Sequence, residues 1–371
     1  MEFTIDRDSF LKSLSHANGI IEKKTTLPIL SNILIEAKNS KIKITATDLV
    51  IIYFEEIVPQ KISKEGSTTT SSNILYDILR KLQPGTKVEF SLMNTNKLKL
   101  ISGNSKFNLL CMPADNFPLS EEDNDQNSFQ ISSEKLLKLL NKTKISISND
   151  ETRHYLNGIY LHKATLENKP FLCSVATDSH RLSSSSISLN QADNFKPFIL
   201  PKKTVFQLCN LIQDNNDDVV LKSSETKIQF QIGKSKIISK VIDGKFPDYK
   251  KVVPQNNQKI LKVDTKDFIN SVERVITVSI DRKEGVKIAL KKDQIELFVN
   301  SSSSGEGKEN LKASYNSEDL TVGFNSRYLL DIASEIKDQK LTMNLNDSVS
   351  PVLIQDNSDT NSYFVIMPMK I

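Results

Sequence analysis

FQISSEKLLKLL, Phe129 to Leu140, reads as a short strand that opens into an amphipathic helix. Phe129 and Ile131 alternate with polar residues, two serines of capping type follow, and Leu136, Leu137 and Leu140 then recur at helical spacing. The chain begins with the same design, FTIDRDSFLKSL from Phe3, and uses it again from Leu261 as LKVDTKDFINSV. The copies stand a domain's length apart, too far for a solenoid, so the spacing predicts three copies of one fold. The segments between them suit connectors: EEDNDQN at 121–127 is acidic and polar, and PQNNQK at 254–259 is polar and opened by proline. The expected lobes are residues 1–121, 129–253 and 260–371.

Each copy continues in the same order. Alternating strands joined by polar turns come next: NILIEAKNSKIKITATD, GIYLHKATLENKPFLCSVATD and VKIALKKDQIELFVN. A second helix follows in each, as SSNILYDILRKL, PKKTVFQLCNLI and NSRYLLDIASEI; in the first, Ile74, Leu75, Ile78, Leu79 and Leu82 are expected to form one apolar stripe. Two helices on antiparallel sheet per lobe, six in all, is an α+β arrangement.

A chain of 371 residues with 38% hydrophobic and 25% charged residues has the composition of a globular protein of two or three domains. No apolar run reaches the roughly 18 to 20 residues that span a bilayer, and MEFTIDRD lacks the layout of a signal peptide, so a cytosolic protein is expected. Cys111, Cys173 and Cys209 lie far apart among apolar neighbours. His16, His154, His162 and His180 form no ligand-spaced cluster with them, which predicts reduced core thiols and no metal.

The most enzyme-like string is ATDSHRL, Ala176 to Leu182. Neighbouring side chains on an extended chain point to opposite faces, so Ser179 and His180 do not make a nucleophile–base pair. ATDLV repeats the start with Asp48 and without the histidine, which marks the aspartate as turn chemistry at a strand end. No glycine-rich phosphate loop is present. Neither catalysis nor a cofactor is expected; the competing class is a binding or scaffold protein.

Charge points to a diffuse interaction. Lys135, Lys138 and Lys142 recur at i, i+3 and i+7 and are expected to form a basic ridge; Lys12, Arg80, Lys81, Lys202, Lys203 and Arg274 add cations on other helix segments. The net charge is only +4, and tryptophan, a stacking platform for single-stranded bases, is absent. Duplex phosphate backbone is the partner that such charge satisfies.

LPILSNILIEA with ITATDL, RHYLNGIYL, VATDSHRL, DGKFPDYKKVVP and the terminal YFVIMPMKI, in that order from Met1 to Ile371, resemble the β subunit of bacterial DNA polymerase III, the sliding-clamp family. The resemblance implies the DNA clamp fold, closed as a homodimeric ring that encircles duplex DNA without reading its sequence. It also implies a pocket for a short apolar peptide motif carried by the replicative polymerase, the clamp loader and repair polymerases. A protein scaffold using the same pocket without encircling DNA is the alternative.

Carried over by matching strings, the pocket implicates Arg153, Tyr155, Leu156, Thr177, His180, Arg181, Leu182, Pro247, Lys251, Val252, Val349, Ser350, Val365, Met367, Pro368 and Met369. Implied DNA contacts are Lys24, Arg80, Lys135, Lys138, Lys142, His154, Lys202 and Lys203. Ring closure implicates Phe107 and Leu109 of one edge strand against Ile276 and Val278 of another. The chain departs from the family strings with Ser179 where ATDGHRL has glycine, with Lys24, Lys251 and Lys370 where arginine is common, and with His154 where a second tyrosine is common.

Overall fold

In a computed structural model that describes residues 1–22, 26–119, 127–166, 168–189, 196–215, 217–279 and 285–370, each copy of the opening motif is a strand, a cap and a helix. Strand Glu2–Asp6 ends on Asp6, whose carboxylate accepts the Ser9 amide at 2.9 Å and starts α1, Arg7–Ile20. Strand Lys259–Asp264 ends on Asp264, which accepts the Asp267 amide at 3.0 Å and starts α5, Thr265–Val275. In the middle copy Ser132 takes that place before α3, Ser133–Lys144, accepting the Lys135 amide at 3.4 Å. Such a cap contributes about 1 kcal/mol and fixes where the strand becomes helix. The second helices are α2, Ser72–Lys81, α4, Lys202–Gln213, and α6, Ser326–Ser334.

The helices bury narrow apolar faces. α1 buries Phe10, Leu14, Ala17 and Ile20, and Phe10 meets Phe3 and Phe90, which stack at 4.8 Å. Each such side chain contributes roughly 1.5–3 kcal/mol. On α2 Leu75 and Leu79 are buried, but Ile74 is 53% exposed, so it lies off the expected stripe. α5 and α6 bury Phe268, Val272, Leu329 and Ile332 in one core with strands of the last third of the chain.

The chain packs as two compact units, and each holds one antiparallel sheet. One unit gathers residues 1–136 with 203–241; its thirteen-stranded sheet is joined across Ser235–Lys240 and Ile51–Ile57, with Ile237 opposite Tyr53. The other gathers residues 137–189 with 197–202 and 242–370. Its twelve-stranded sheet is joined across Arg181–Ser188 and Ser362–Ile366, with Leu182 opposite Val365. In both sheets the joining strand follows an Ala-Thr-Asp turn.

Candidate functional site

Those two turns are built alike. Asp178 Oδ1 accepts the amides of His180 and Arg181 at 3.0 and 2.9 Å, while Thr177 Oγ1 donates to the Arg181 carbonyl at 2.7 Å. In the other unit Asp48 Oδ1 accepts from Val50 and Ile51 at 2.9 and 2.7 Å, and Thr47 Oγ1 donates to the Ile51 carbonyl at 2.9 Å. The aspartates are spent on turn geometry. Both turns carry a non-glycine residue in the left-handed region, Ser179 at φ 76° and Leu49 at φ 74°.

The Thr177–Arg181 turn forms one wall of a cleft of ≈ 220 Å³. Its lining combines Thr177, Arg181 and Leu182 with Pro247 and Val252 and with Val365 and Met367, seven of the residues that the sequence strings single out. Ser179, Asp248 and Tyr249 also line it and were missed; they neighbour the singled-out residues in chain order, which was the available signal. Beneath the cleft Leu156, Val175, Leu182, Ile199, Phe246, Tyr249 and Val365 pack as an apolar cluster, with Tyr155 partly buried against it. Tyr249 anchors there through its hydroxyl, 3.0 Å from His162 Nε2. Burial raises the Tyr249 phenol pKa and lowers that of His162.

The rim is polar. Arg153 donates through Nε to Asp150 at 2.8 Å and through Nη1 to Ser179 Oγ at 2.6 Å. Hydrogen bonds from the Thr152 hydroxyl and then Arg153 draw the Asp150 carboxyl down to about 2. His180 is exposed; its ring stacks on Tyr328 at 6.4 Å, and its carbonyl accepts the Met367 amide at 2.8 Å. Lys251 is exposed and pairs with Asp248 at 3.4 Å.

Val349, Pro368 and Met369 line a separate ≈ 590 Å³ cleft with Lys287 and Lys370, reached by the tail after Met369 donates to the Gly323 carbonyl at 2.9 Å. Ser350 lines neither cleft; its amide and hydroxyl bond Asp347 at 2.7 and 2.8 Å.

The basic ridge on α3 needs correction. Leu136, Leu139 and Leu140 form its buried face, and Lys142 lies three residues after Leu139 on that same side. Its side chain is 3% exposed, donates to the Glu335 carbonyl and lies 3.6 Å from Asp356, so it is not a surface cation. Lys138 is one-third exposed and paired with Asp359 at 2.7 Å, which leaves Lys135 exposed on the helix.

Elsewhere Arg80 is exposed beside Asp77, Lys202 bonds Asn149, and Lys203 bonds Asp48 at 2.6 Å. His154 is exposed, with Nε2 3.1 Å from the Asp243 carbonyl. Lys24 lies outside the described residues.

The four residues implicated in ring closure fall on two kinds of element. Phe107 and Leu109 lie on strand Ser105–Met112, whose ladder on one side is confined to Cys111 and Met112; Phe107 is half-buried, Leu109 is 8% exposed, and Leu110 stands 77% exposed. Ile276 and Val278 are not on a strand. They form a 3-10 turn, Ile276–Val278, that continues α5, and Ile276 is buried in its core because the helical apolar spacing carries on past Val275. Among the described residues a strand with a partly free side in that part of the chain is Gly305–Tyr315, paired on one side only from Ala313. Its Glu306, Lys308, Glu309 and Lys312 hid it from an apolar pattern search; charge on a free edge is what discourages indiscriminate pairing.

Among the described residues no group of His, Cys, Asp and Glu is arranged to hold a metal, and no helix is long and apolar enough to cross a membrane.

The fold is thus the three-domain clamp fold, α+β, seen in solved sliding clamps. A sliding clamp (DNA polymerase III subunit beta) from Bartonella birtlesii bound to griselimycin superimposes with a TM-score of 0.96 at 39% identity, over 100% of both chains. A Caulobacter crescentus beta sliding clamp with polyethylene glycol at a putative beta-motif tethering region gives 0.94 at 35% identity, over 100% of this chain and 99% of that one. The beta sliding clamp of Caulobacter vibrioides is 36% identical, and that of Pseudomonas aeruginosa 30%, each over 100% of both chains.

Family models for the DNA polymerase III beta subunit match end to end: the N-terminal domain at residues 1–121, the central domain at 130–248 and the C-terminal domain at 250–370. The chain belongs to the DNA polymerase III beta subunit family, the bacterial sliding clamps. It is a DNA sliding clamp, a processivity factor of replication and not an enzyme.

Proposed function

We propose that two copies close head to tail into a cytoplasmic ring around duplex DNA, and that the cleft beside Thr177–Leu182 docks the peptides of its partners. The observation that carries the peptide half is the convergence on one small apolar cleft of the turn, the Pro247–Val252 segment and the Val365–Met367 tail. Apolar anchors entering it gain roughly 1.5–3 kcal/mol each when fully buried. Two or three of them, less ordering costs, suit affinities on the order of micromolar. The partners on this reading are the replicative polymerase, the clamp loader and repair polymerases.

The DNA half rests on family membership and on the character of the charge. A chain of net charge +4, with Arg80, Lys138 and Lys203 each paired to a carboxylate, is unsuited to a many-phosphate grip and suited to retention by encirclement. Lobes at 1–121, 129–253 and 260–371, close to the family-model bounds, would be doubled by the two-fold axis. The free sides of Ser105–Met112 and Gly305–Tyr315 supply unsatisfied ladder groups for closure.

The deciding experiment assembles the protein on a circular duplex with the clamp loader, raises the salt, and then linearises the DNA. Retention on the circle with release from the cut ends is expected. Equal retention on both forms points instead to a scaffold that does not encircle.

A further inference from the structure

The wall of the peptide cleft contains an arginine whose charge is spent elsewhere. Arg181 lines the cleft, yet its side chain is 8% exposed. Nε donates to Asp178 Oδ2 at 3.1 Å, Nη1 donates to Asp331 Oδ2 at 2.6 Å, and the guanidinium lies 4.2 Å from the Tyr328 ring centroid. Its aliphatic stem is what remains for the cleft. Asp331 and Tyr328 are neighbours on one face of α6, and neither lines the cleft.

We propose that Asp331 is a positioning residue for peptide docking, acting through Arg181 to fix where the Thr177–Arg181 turn stands. The inference rests on the peptide-pocket reading. The sheet places the base of the turn, with Thr177 opposite Leu182 and Arg181 opposite Ile366, and the internal hydrogen bonds set its shape, which leaves the stance of its tip to side-chain contacts. Ser179 holds a left-handed conformation that costs an L-residue about 1–2 kcal/mol, so other arrangements of the turn lie close in energy.

Two guanidinium contacts then hold the tip: Arg153 reaches Ser179 from the Glu151–Leu156 segment, and Asp331 on α6 holds Arg181. The Met367 amide then bonds the His180 carbonyl, which ties the tail to the turn. Met367 and Arg181 both line the cleft, so releasing Asp331 loosens two of its walls together.

The test is stopped-flow fluorescence anisotropy on the full chain, with a fluorescein-labelled decapeptide bearing Leu and Phe anchors. Asp331→Asn is isosteric and leaves the fold most nearly intact; Asp331→Ala and Asp331→Glu accompany it. If the competent arrangement falls to about a tenth of the molecules, apparent affinity falls about tenfold, and the loss appears in the association rate with dissociation little changed. Asp331→Glu restores most of it. Arg181→Met reproduces the defect, and adding Asp331→Asn to it brings no further loss, because the two act through one contact.

Wild-type association by Asp331→Asn overturns the proposal. So does a loss confined to dissociation that tracks a lowered thermal midpoint, which marks a general structural role. If Met367→Lys binds the decapeptide as well as the wild-type chain does, or the wild-type chain does not bind it, the pocket reading itself fails. Loss in Met367→Lys beside normal Asp331→Asn sinks only the positioning role.

Discussion

Replacing Lys142 by methionine separates a buried structural cation from a DNA contact. The substitution keeps the length of the stem and removes the ammonium, which lies 3.6 Å from Asp356, donates to the Glu335 carbonyl and sits 6.0 Å from the Phe364 ring. Removing one partner of a buried pair typically costs about 3–5 kcal/mol. Asp356 keeps donors at 2.9, 3.0 and 2.5 Å, from the Lys337 amide and the amide and hydroxyl of Ser358, so about 3 kcal/mol is expected. Burial pushes the Asp356 carboxyl up, but those donors, with a smaller part from Lys142, hold it below its usual range; it therefore stays ionised in the variant at neutral pH.

For a cooperative unit of 150–250 residues, each kcal/mol is about 2–4 °C, which gives a fall of roughly 6–12 °C. The assay is a calorimetric melt, in which transitions of separate units are allowed to resolve. Alongside it, gel shifts on linear duplex at low salt compare Lys142→Met with Lys135→Glu. The buried cation leaves DNA affinity unchanged, whereas reversing the exposed Lys135 weakens it. A Lys142→Met chain that melts with the wild type and binds DNA less well refutes the reasoning.

Three further outcomes follow from the same contacts. His16 is buried with Nε2 2.8 Å from Asp214 and Nδ1 3.9 Å from Glu55; burial lowers its pKa, but the two carboxylates outweigh that and the net shift is upward. The extra stability of wild type over His16→Gln, about 1 kcal/mol given the half-exposed Asp214, is then fully present below the ordinary histidine pKa of about 6.5 and fades as pH rises through the raised value. Glu55 is shifted down, so its own contribution is lost only as pH falls through that lowered carboxylate value. Urea midpoints that differ equally at pH 5.5 and 8.5 contradict this. Phe107→Asp places a carboxylate on the free-sided strand and, if that edge pairs with a second chain, costs several kcal/mol of association, seen as monomers in light scattering at an unchanged thermal midpoint. Met367→Lys abolishes decapeptide binding in anisotropy titrations while the melt stays within a degree or two, because the side chain is 38% exposed and lines the cleft; undiminished affinity places docking elsewhere.

The repeat was legible because it is local. Asp6 and Asp264 sit at the junction of a period-two and a period-3.6 pattern, and both cap the helix they announce. Asp48 and Asp178 were legible as turn residues because the same three letters recur at two strand ends. The burial of Lys142 was not legible, since its partners, Asp356 and the Glu335 carbonyl, are distant in sequence, and a lysine at i+7 from Lys135 looks like surface until Leu139 is known to be core. The strand placement of Val278, implied by the resemblance, differs from the structure because the helical run of α5 carries on through it as a 3-10 turn. Gly305–Lys312 failed in the opposite sense, as an edge whose charges erase the alternation that would reveal it.

The two Ala-Thr-Asp turns show how one device serves two ends. Both lead into the strand that joins segments distant in sequence, and both free the second oxygen of the aspartate for a cation. At Asp48 that cation is Lys203 at 2.6 Å, from α4, and the residue three after the aspartate is Ile51, fully buried. At Asp178 the residue three after is Arg181, which takes the second oxygen itself at 3.1 Å and still has an arm for Asp331. An isoleucine there closes the core and leaves a joint. An arginine keeps its charged end buried only because α6 supplies a carboxylate and an aromatic face, and its stem then stands as a wall with space beside it. The difference between a plain joint and a joint with a cleft beside it therefore turns on the residue at this one position and on the partners that α6 offers it.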